Sequence, residues 1–309
     1  MRPAEAGIHT LLASARLDQH RKAVRIGAVV MTDAQLETML RDESDATARN
    51  GALEMIKVRG ERGRHLALRL LDDEDGDVAL QAVLALDALQ QESDLTVLSR
   101  LAENANINIA QASILAIGHS RHPNAQQVAR AFASREPWLA AAAIEALGSL
   151  GSPSSLPLLC SRVEDPVVGP LAIDAIARIG GQEALDALAS MWLTAPRESL
   201  ESHDLLQALV TTAEAADRLL FAAPRLREEI GRRSGESHGI EHELLIRAGI
   251  ALGRHEVTVA TIQQFIDTAG GAANEMPLPA AFRHHPELAY ALLASAPRWA
   301  LALASEFGE

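Results

Sequence analysis

The residues in this sequence that come nearest to chemistry are histidines and glutamates in its last third. Residues 238–242 read His238-Gly-Ile-Glu-His242, and His255-Glu256 follows thirteen residues after His242-Glu243. On a helix, histidines at i and i+4 share a face, and a glutamate beside them is placed as the general base for a zinc-bound water. That requires a helix already formed at His238. Gly239 and the Gly/Ser-rich run 231–239 instead place His238 in a loop or at a cap, and no second motif marks a third ligand. Polar residues opening a helix are the preferred reading, with no metal or other cofactor expected and His238, His242 and His255 kept as the only metal candidates. The acidic run Asp72-Asp-Glu-Asp-Gly-Asp77 offers a calcium loop, but with Gly76 at the sixth place its first ligand falls on Leu71 and its last on Ala82. Neither can coordinate, so these acids are expected to cap the helix that follows. Cys160 lies among leucines and reads as a core thiol. There is no Gly-rich phosphate loop and no nucleophile motif, so no catalytic residue is assigned and the chain is expected not to be an enzyme.

The elements that must position these groups are written in a repeat. Asp45–Gly60, Gly76–Gln90, Asn106–Arg121, Glu136–Gly151 and Asp165–Gly180 share one apolar frame, in which Ala52, Ala82, Ala112, Ala142 and Ala172 are equivalent. A period of about thirty residues is that of a solenoid of helix pairs. The spacing predicts a shorter helix before each of these segments from the second onward, at 62–71, 93–103, 122–134 and 153–163, with another at 182–193. A second-repeat opening helix is expected from Asp33, and an N-terminal capping pair at 4–17 and 18–31. Pro137 and Pro166 each open a helix, where proline costs least. After Pro196 the period lengthens, with helices expected at 199–212, 214–230, 240–253, 256–268 and 286–305. Gly/Ser/Pro-rich connections are expected at 231–239 and 270–279. The chain therefore divides into regular repeats with their cap at 1–196, and diverged repeats or a C-terminal helical cap at 197–309.

DPVVGPLAIDAIARIG and EPWLAAAAIEALGSLG resemble the second helix of HEAT-type repeats, particularly the short bacterial kind found in phycobilisome-lyase-like proteins. The resemblance covers about residues 33–193. It implies an all-α, right-handed α-solenoid of about six or seven helix pairs, an armadillo-type fold used for scaffolds, adaptors and a few enzymes. That family often carries an arginine after the apolar residue opening the second helix; here the place holds Arg49, then Ala79, Ala110, Ala140 and Gly169. The usual Asp–Arg ladder between repeats is thus expected to be missing, leaving the packing to small residues. An iron-binding HEAT-repeat hydroxylase carries His-Glu dipeptides at matching places of successive repeats. The two dipeptides here are not one repeat apart. HEAT-like DNA glycosylases need a basic concave surface, which this sequence lacks.

In such a solenoid the second helices line the concave face. Their outward stripe is read as Asn50, Glu54 and Lys57; Gln81, Leu84 and Asp87; Gln111, Leu115 and His119; Glu145 and Ser149; and Asp174 and Arg178. The stripe leans acidic, with Leu84 and Leu115 as apolar members. Two readings stay open: a solvated helix face, or a groove for a basic or amphipathic peptide. Trp138 stands at the rim, where an exposed tryptophan would anchor a partner; with aromatics only 3% of the chain, it is expected to be packed instead.

Composition bounds the partners. A net charge of −13 argues against nucleic acid, whose phosphates call for a basic surface. No apolar run spans a membrane, since the nearest, 286–303, is broken by Pro297 and Arg298. Among cations only Lys22 and Lys57 are lysines, a bias of GC-rich bacterial genes. A single cysteine and an N-terminus without a leader predict the cytoplasm. The expected function is a scaffold or adaptor that binds a protein or peptide on the concave face. The alternative is an enzyme or enzyme subunit, lyase-like or metal-dependent, using the C-terminal histidines.

Overall fold

A computed structural model describes residues 7–8, 11–12, 17–42, 44–197, 199–216, 220–237 and 239–252, with a few positions beyond (264, 266–271, 276, 280, 298–299, 301 and 305). Every regular element among them is a helix. The chain forms two compact units, residues 1–146 and 147–309. The repeated frame and the serial packing of its helices make it an all-α solenoid.

In the first unit, α1 (Leu17–Val30), α3 (Ala46–Val58), α5 (Gly76–Leu89) and α7 (Ile107–Gly118) are the second helices, with each touching the next. The first helices α2 (Asp33–Leu40), α4 (Glu61–Leu70), α6 (Leu95–Leu101) and α8 (Ala125–Phe132) pack on their sides. The unit boundary falls within α9 (Pro137–Leu150). The second unit continues with α10 (Leu156–Cys160), α11 (Gly169–Ile179), α12 (Gly181–Thr194), α13 (Leu200–Ala215), α14 (Pro224–Glu236) and α15 (Gly239–Ala251). There α11, α13 and α15 touch in series, with α12 against α13 and α14 against α15, so the same alternation runs on past residue 196.

The second helices begin where short polar side chains can satisfy the first free backbone N–H groups. Asp45 accepts from the Ala48 amide, Asp75 from those of Asp77 and Val78, and Asn106 from that of Asn108. Asp165 accepts from the Val167 and Val168 amides in the turn that leads into α11. The acidic run 72–77 is therefore a cap with a turn, as its sequence predicts. The helices then bury the frame alanines: Ala52, Ala82, Ala142 and Ala172 are buried, together with Ile56, Leu86, Ile117 and Ile176.

Because the frame is small, neighbouring second helices come very close. A Cβ placed on Gly118 would lie 2.6 Å from Ala146 Cα, and one on Gly148 would lie 2.9 Å from Ala175 Cα. In both cases the obstacle is backbone, which cannot swing away. Gly63 and Gly169 face the same limit at turns, with added Cβ atoms 1.9 Å from Ile56 O and 2.3 Å from Val163 O.

The packing does not rest on small residues alone, since ion pairs join the repeats at other positions than the family's usual one. Arg41 grips Asp73 with two bonds of 2.9 and 2.5 Å, Asp72 takes Arg100 at 2.8 Å, and Glu103 takes Arg135 at 2.7 Å. These link each repeat to the next through the loops after the first helices, not through the position the family usually uses. Arg49, the one arginine at that usual position, also reaches Asp77 at 3.2 Å. A further pair is buried: Arg64 bonds both oxygens of Asp94, which also accepts from the Gln91 amide at 2.8 Å. Removing one member of a buried pair strands the other's charge, so this contact fixes register more than it adds stability.

Two boundaries differ from the sequence expectation. A helix predicted at 214–230 begins only at Pro224, and the connection predicted at 231–239 is helical to Glu236. Gly231 and Gly235 weaken that helix, but Glu229 receives Arg232 at 2.6 Å and Arg233 at 2.7 Å, and Glu236 receives Arg232 at 2.8 Å. These i, i+3 and i, i+4 pairs offset the glycines. The helix predicted at 4–17 lies largely outside the described residues, as do most of 256–268, 270–279 and 286–305.

Gly118→Ala is expected to destabilise by about 1–3 kcal/mol despite alanine's better helix propensity, because the methyl meets the Ala146 backbone. Gly231→Ala, with open space around it, should gain about 0.5–1 kcal/mol. Thermal melts of the two variants check the opposite signs. The carboxyls of Asp73 and Asp165 are held below their ordinary value, Asp73 by the Arg41 guanidinium and Asp165 by backbone N–H groups. A lowered folded-state pKa contributes stability that is complete above the unfolded value and is lost as pH falls through the folded one. Melts from neutral pH to below about pH 4 should therefore show a shallower acid limb for the Asp73→Asn, Asp165→Asn double variant than for the wild type.

Candidate functional site

The stripe residues of the first unit come to the surface in register. Asn50, Glu54 and His119 are exposed, with Lys57, Gln81, Asp87, Gln111 and Leu115 half-buried. Leu84 is 37% exposed, and Glu145 on α9 is open. Their spacing on successive second helices produces this, since the frame alanines and leucines face the other way. In the second unit Ser149, Asp174 and Arg178 are also exposed.

Two of the four stripe carboxylates face a cation within the stripe, and a third is hydrogen-bonded to a histidine. Lys57 Nζ lies 3.1 Å from Glu54, His119 Nδ1 2.9 Å from Asp87, and Arg178 2.5 Å from Asp174 while also donating to Ser149 Oγ at 3.3 Å. Of the four carboxylates only Glu145 carries no such partner among the described residues. Exposed pairs of this kind contribute little by themselves, but they lower the net field a basic partner would meet.

Trp138 corrects its expectation. It is 49% exposed on the first turn of α9, where its carbonyl accepts from Gln111 Nε2 at 3.1 Å. Ile107, the residue that opens α7, is 38% exposed. Proline at N1 sets the start of α9 and leaves Trp138 on the outside of its first turn, beyond the reach of the alanine frame. The rarity of aromatics did not settle whether this one is packed; its place in the helix did.

At the C-terminal ends of α5 and α7, the other end of these helices from Ile107, lies a cleft of about 490 Å³ lined by Asp87, Gln90, Gln91, Glu92, His119 and Arg121. Gln90 spends its amide N–H groups on the carbonyl of Ala116 at 3.0 Å and on Asp87, but its buried carbonyl oxygen accepts nothing. The cleft therefore offers acceptors, which suits an ammonium or guanidinium donor.

The histidine motif gains no chemistry from the structure. His242 lies in the second turn of α15 with Nδ1 2.9 Å from the Ser234 carbonyl, to which it can only donate. Glu243 faces Arg247, whose main partner is Glu214 at 2.6 Å. His238 and His255 lie outside the described residues, so their convergence is not decided. Among the described residues no three His, Cys, Asp or Glu side chains are grouped as a metal site requires. Cys160 is half-buried, and burial raises its thiol pKa. Besides Arg64 and Asp94, a further buried charge was not expected from the sequence: Arg233, stacked 4.2 Å over the Trp192 ring. The i, i+4 spacing of Glu229 and Arg233 is the signal that marks it.

Residues 96–171 and 128–210 match the family described as HEAT repeats. The matched stretch is similar to HEAT repeats; the narrower likeness to phycobilisome-lyase-like proteins has no support from these matches. No curated protein matches. Among solved structures, that of human deoxyhypusine hydroxylase in complex with glycerol matches at 15% identity and a TM-score of 0.32, covering 81% of this chain and 95% of that one. The expectation that this chain is not an enzyme is therefore withdrawn, since a protein to which it is similar is one. At that identity and TM-score the likeness assigns no activity here. Among the described residues no helix is long and apolar enough to cross a membrane.

Proposed function

We propose that the second-helix face of the first unit binds a partner protein through an amphipathic segment. The observation that carries this reading is Trp138, a large aromatic left half-exposed on the same unit as the exposed Leu84 and Ile107. Folding alone gives no reason to leave a tryptophan in water, and tryptophan is prominent among residues that dominate binding energies. The partner's apolar side chains would cover Trp138 and Leu84. A lysine or arginine further along the same segment would reach the cleft at the C-terminal ends of α5 and α7, where Asp87 and the unpartnered Gln90 oxygen accept its hydrogens.

Recognition on this account is apolar and hydrogen-bonded first and electrostatic second, because Glu54 and Asp87 already hold Lys57 and His119. Gln111, Leu115 and Glu145 complete the face. Asp174 and Arg178 form a separate polar surface on the second unit. Residues 197–252 are proposed to be diverged repeats, since α13 and α15 keep the alternation of second helices. Their place in partner binding is secondary. HEAT repeats commonly serve as repeat scaffolds, which agrees with a binding role.

Trp138→Ala should weaken capture of the partner by roughly thirtyfold, the equivalent of about 2 kcal/mol. Glu54→Gln, which only breaks a surface pair, should change it less than fivefold, within about 1 kcal/mol. Both variants should keep the wild-type helical circular dichroism. Affinity pull-down followed by titration of the purified partner checks the contrast; equal loss in both variants, or in neither, refutes it.

A further inference from the structure

We infer that the second unit holds a binding site for a small α-amino acid with an apolar side chain, in two adjoining clefts between α13, α14 and α15. The first cleft, of about 230 Å³, is lined by Arg197, Arg233, Glu236, Ser237 and Glu241. Its floor carries two buried donors with no hydrogen-bond partner. Arg233 is only 5% exposed; its Nε donates to Glu229 at 2.7 Å and its guanidinium lies over Trp192, yet its Nη1 donates to nothing. Ser237 Oγ is likewise buried and unpartnered. Leaving a guanidinium N–H buried and unused is costly. A carboxylate seated here would take both donors at once, and Arg is the side chain best shaped to hold one.

The charges argue against a bare anion as the resident. Arg197, Arg232 and Arg233 are balanced by Glu229, Glu236 and Glu241. Arg197 lies 3.2 Å from Glu229 and 3.4 Å from Glu236, and Arg232 bonds the same two acids. Glu241 alone has no hydrogen-bond or ion-pair partner among the described residues. It stands exposed in the first turn of α15, where the backbone N–H groups have no intrahelical partner. A site with an open guanidinium on one side and an open carboxylate on the other fits a zwitterion: carboxylate to Arg233 and Ser237, ammonium to Glu241.

The second cleft fixes the side chain. It has about 220 Å³, is lined by Leu200 and Leu206 with Ser199, Ser202 and His203, and shares Glu241 with the first. Leu206 is buried, and Leu200 is exposed on the first turn of α13. A ligand with its ammonium at Glu241 therefore has a mostly apolar wall within reach of its Cα substituent. An aliphatic or thioether side chain is favoured over a charged one, which would lose its hydration against these leucines.

Isothermal titration of the full chain with each of the twenty standard amino acids tests this. The controls are inorganic phosphate and, for the best binder, the carboxylic acid lacking its amino group. The expected result is saturable one-to-one binding of an apolar amino acid, tighter than both controls. Ser237→Ala should weaken it by roughly fivefold or more. Glu241→Gln should bring the amino acid level with its deaminated analogue. Arg233→Lys should abolish binding, and because that buried change can also harm folding, the two milder variants carry the decision. The inference is overturned if no amino acid gives a saturable signal, if phosphate or the deaminated acid binds the wild type as tightly, or if Ser237→Ala and Glu241→Gln both leave the affinity unchanged.

Discussion

The close approach of second helices is the constraint on which the rest of this structure depends. Gly118 meets the Ala146 backbone and Gly148 meets the Ala175 backbone, each with no room for a methyl group. Such contacts demand a frame of glycine and alanine on the inward faces and leave longer side chains only outward positions. The outward stripe is thus a consequence of packing. Interiors at crystal-like density tolerate no exchange between the two sets, so the surface offered by each second helix is set by what its other side must bury.

Charge does a different job in each place. Loop pairs such as Arg41–Asp73 and Asp72–Arg100 tie consecutive repeats, and Asx caps start α3, α5 and α7. The Arg64–Asp94 pair is out of water and fully committed to its neighbours. On α14 the same chemistry overrides two glycines and builds a helix where composition implies a linker. Trp138 itself carries no charge, so shape and apolar area dominate what it can hold.

The repeat was legible because its signal is periodic: the alanine frame returns about every thirty residues, and the caps Asp45, Asp75, Asn106 and Asp165 return with it. The positions of Glu54, Leu84, Gln111, His119 and Arg178 on the outward side followed from the same frame. What was not legible depended on contacts between repeats. Arg41 and Asp73 are thirty-two residues apart and share no local pattern, so their pairing emerges only in three dimensions. Trp138 shows the limit of reasoning from residue type, since its exposure follows from being first in its helix. The helical 231–236 stretch was misread because glycines were weighed more heavily than the glutamate–arginine spacing around them.

A binding surface grown from a packing rule can be located directly by asking which positions touch the partner. A photo-crosslinking amino acid placed in turn at 84 and 138, and at the exposed first-helix positions 96 and 127, would map contact on the first unit. The account predicts adducts to one partner from positions 84 and 138 and none from 96 or 127. Adducts from the first-helix positions, with none from 84 and 138, would contradict it and move the working surface to the other side of the repeats.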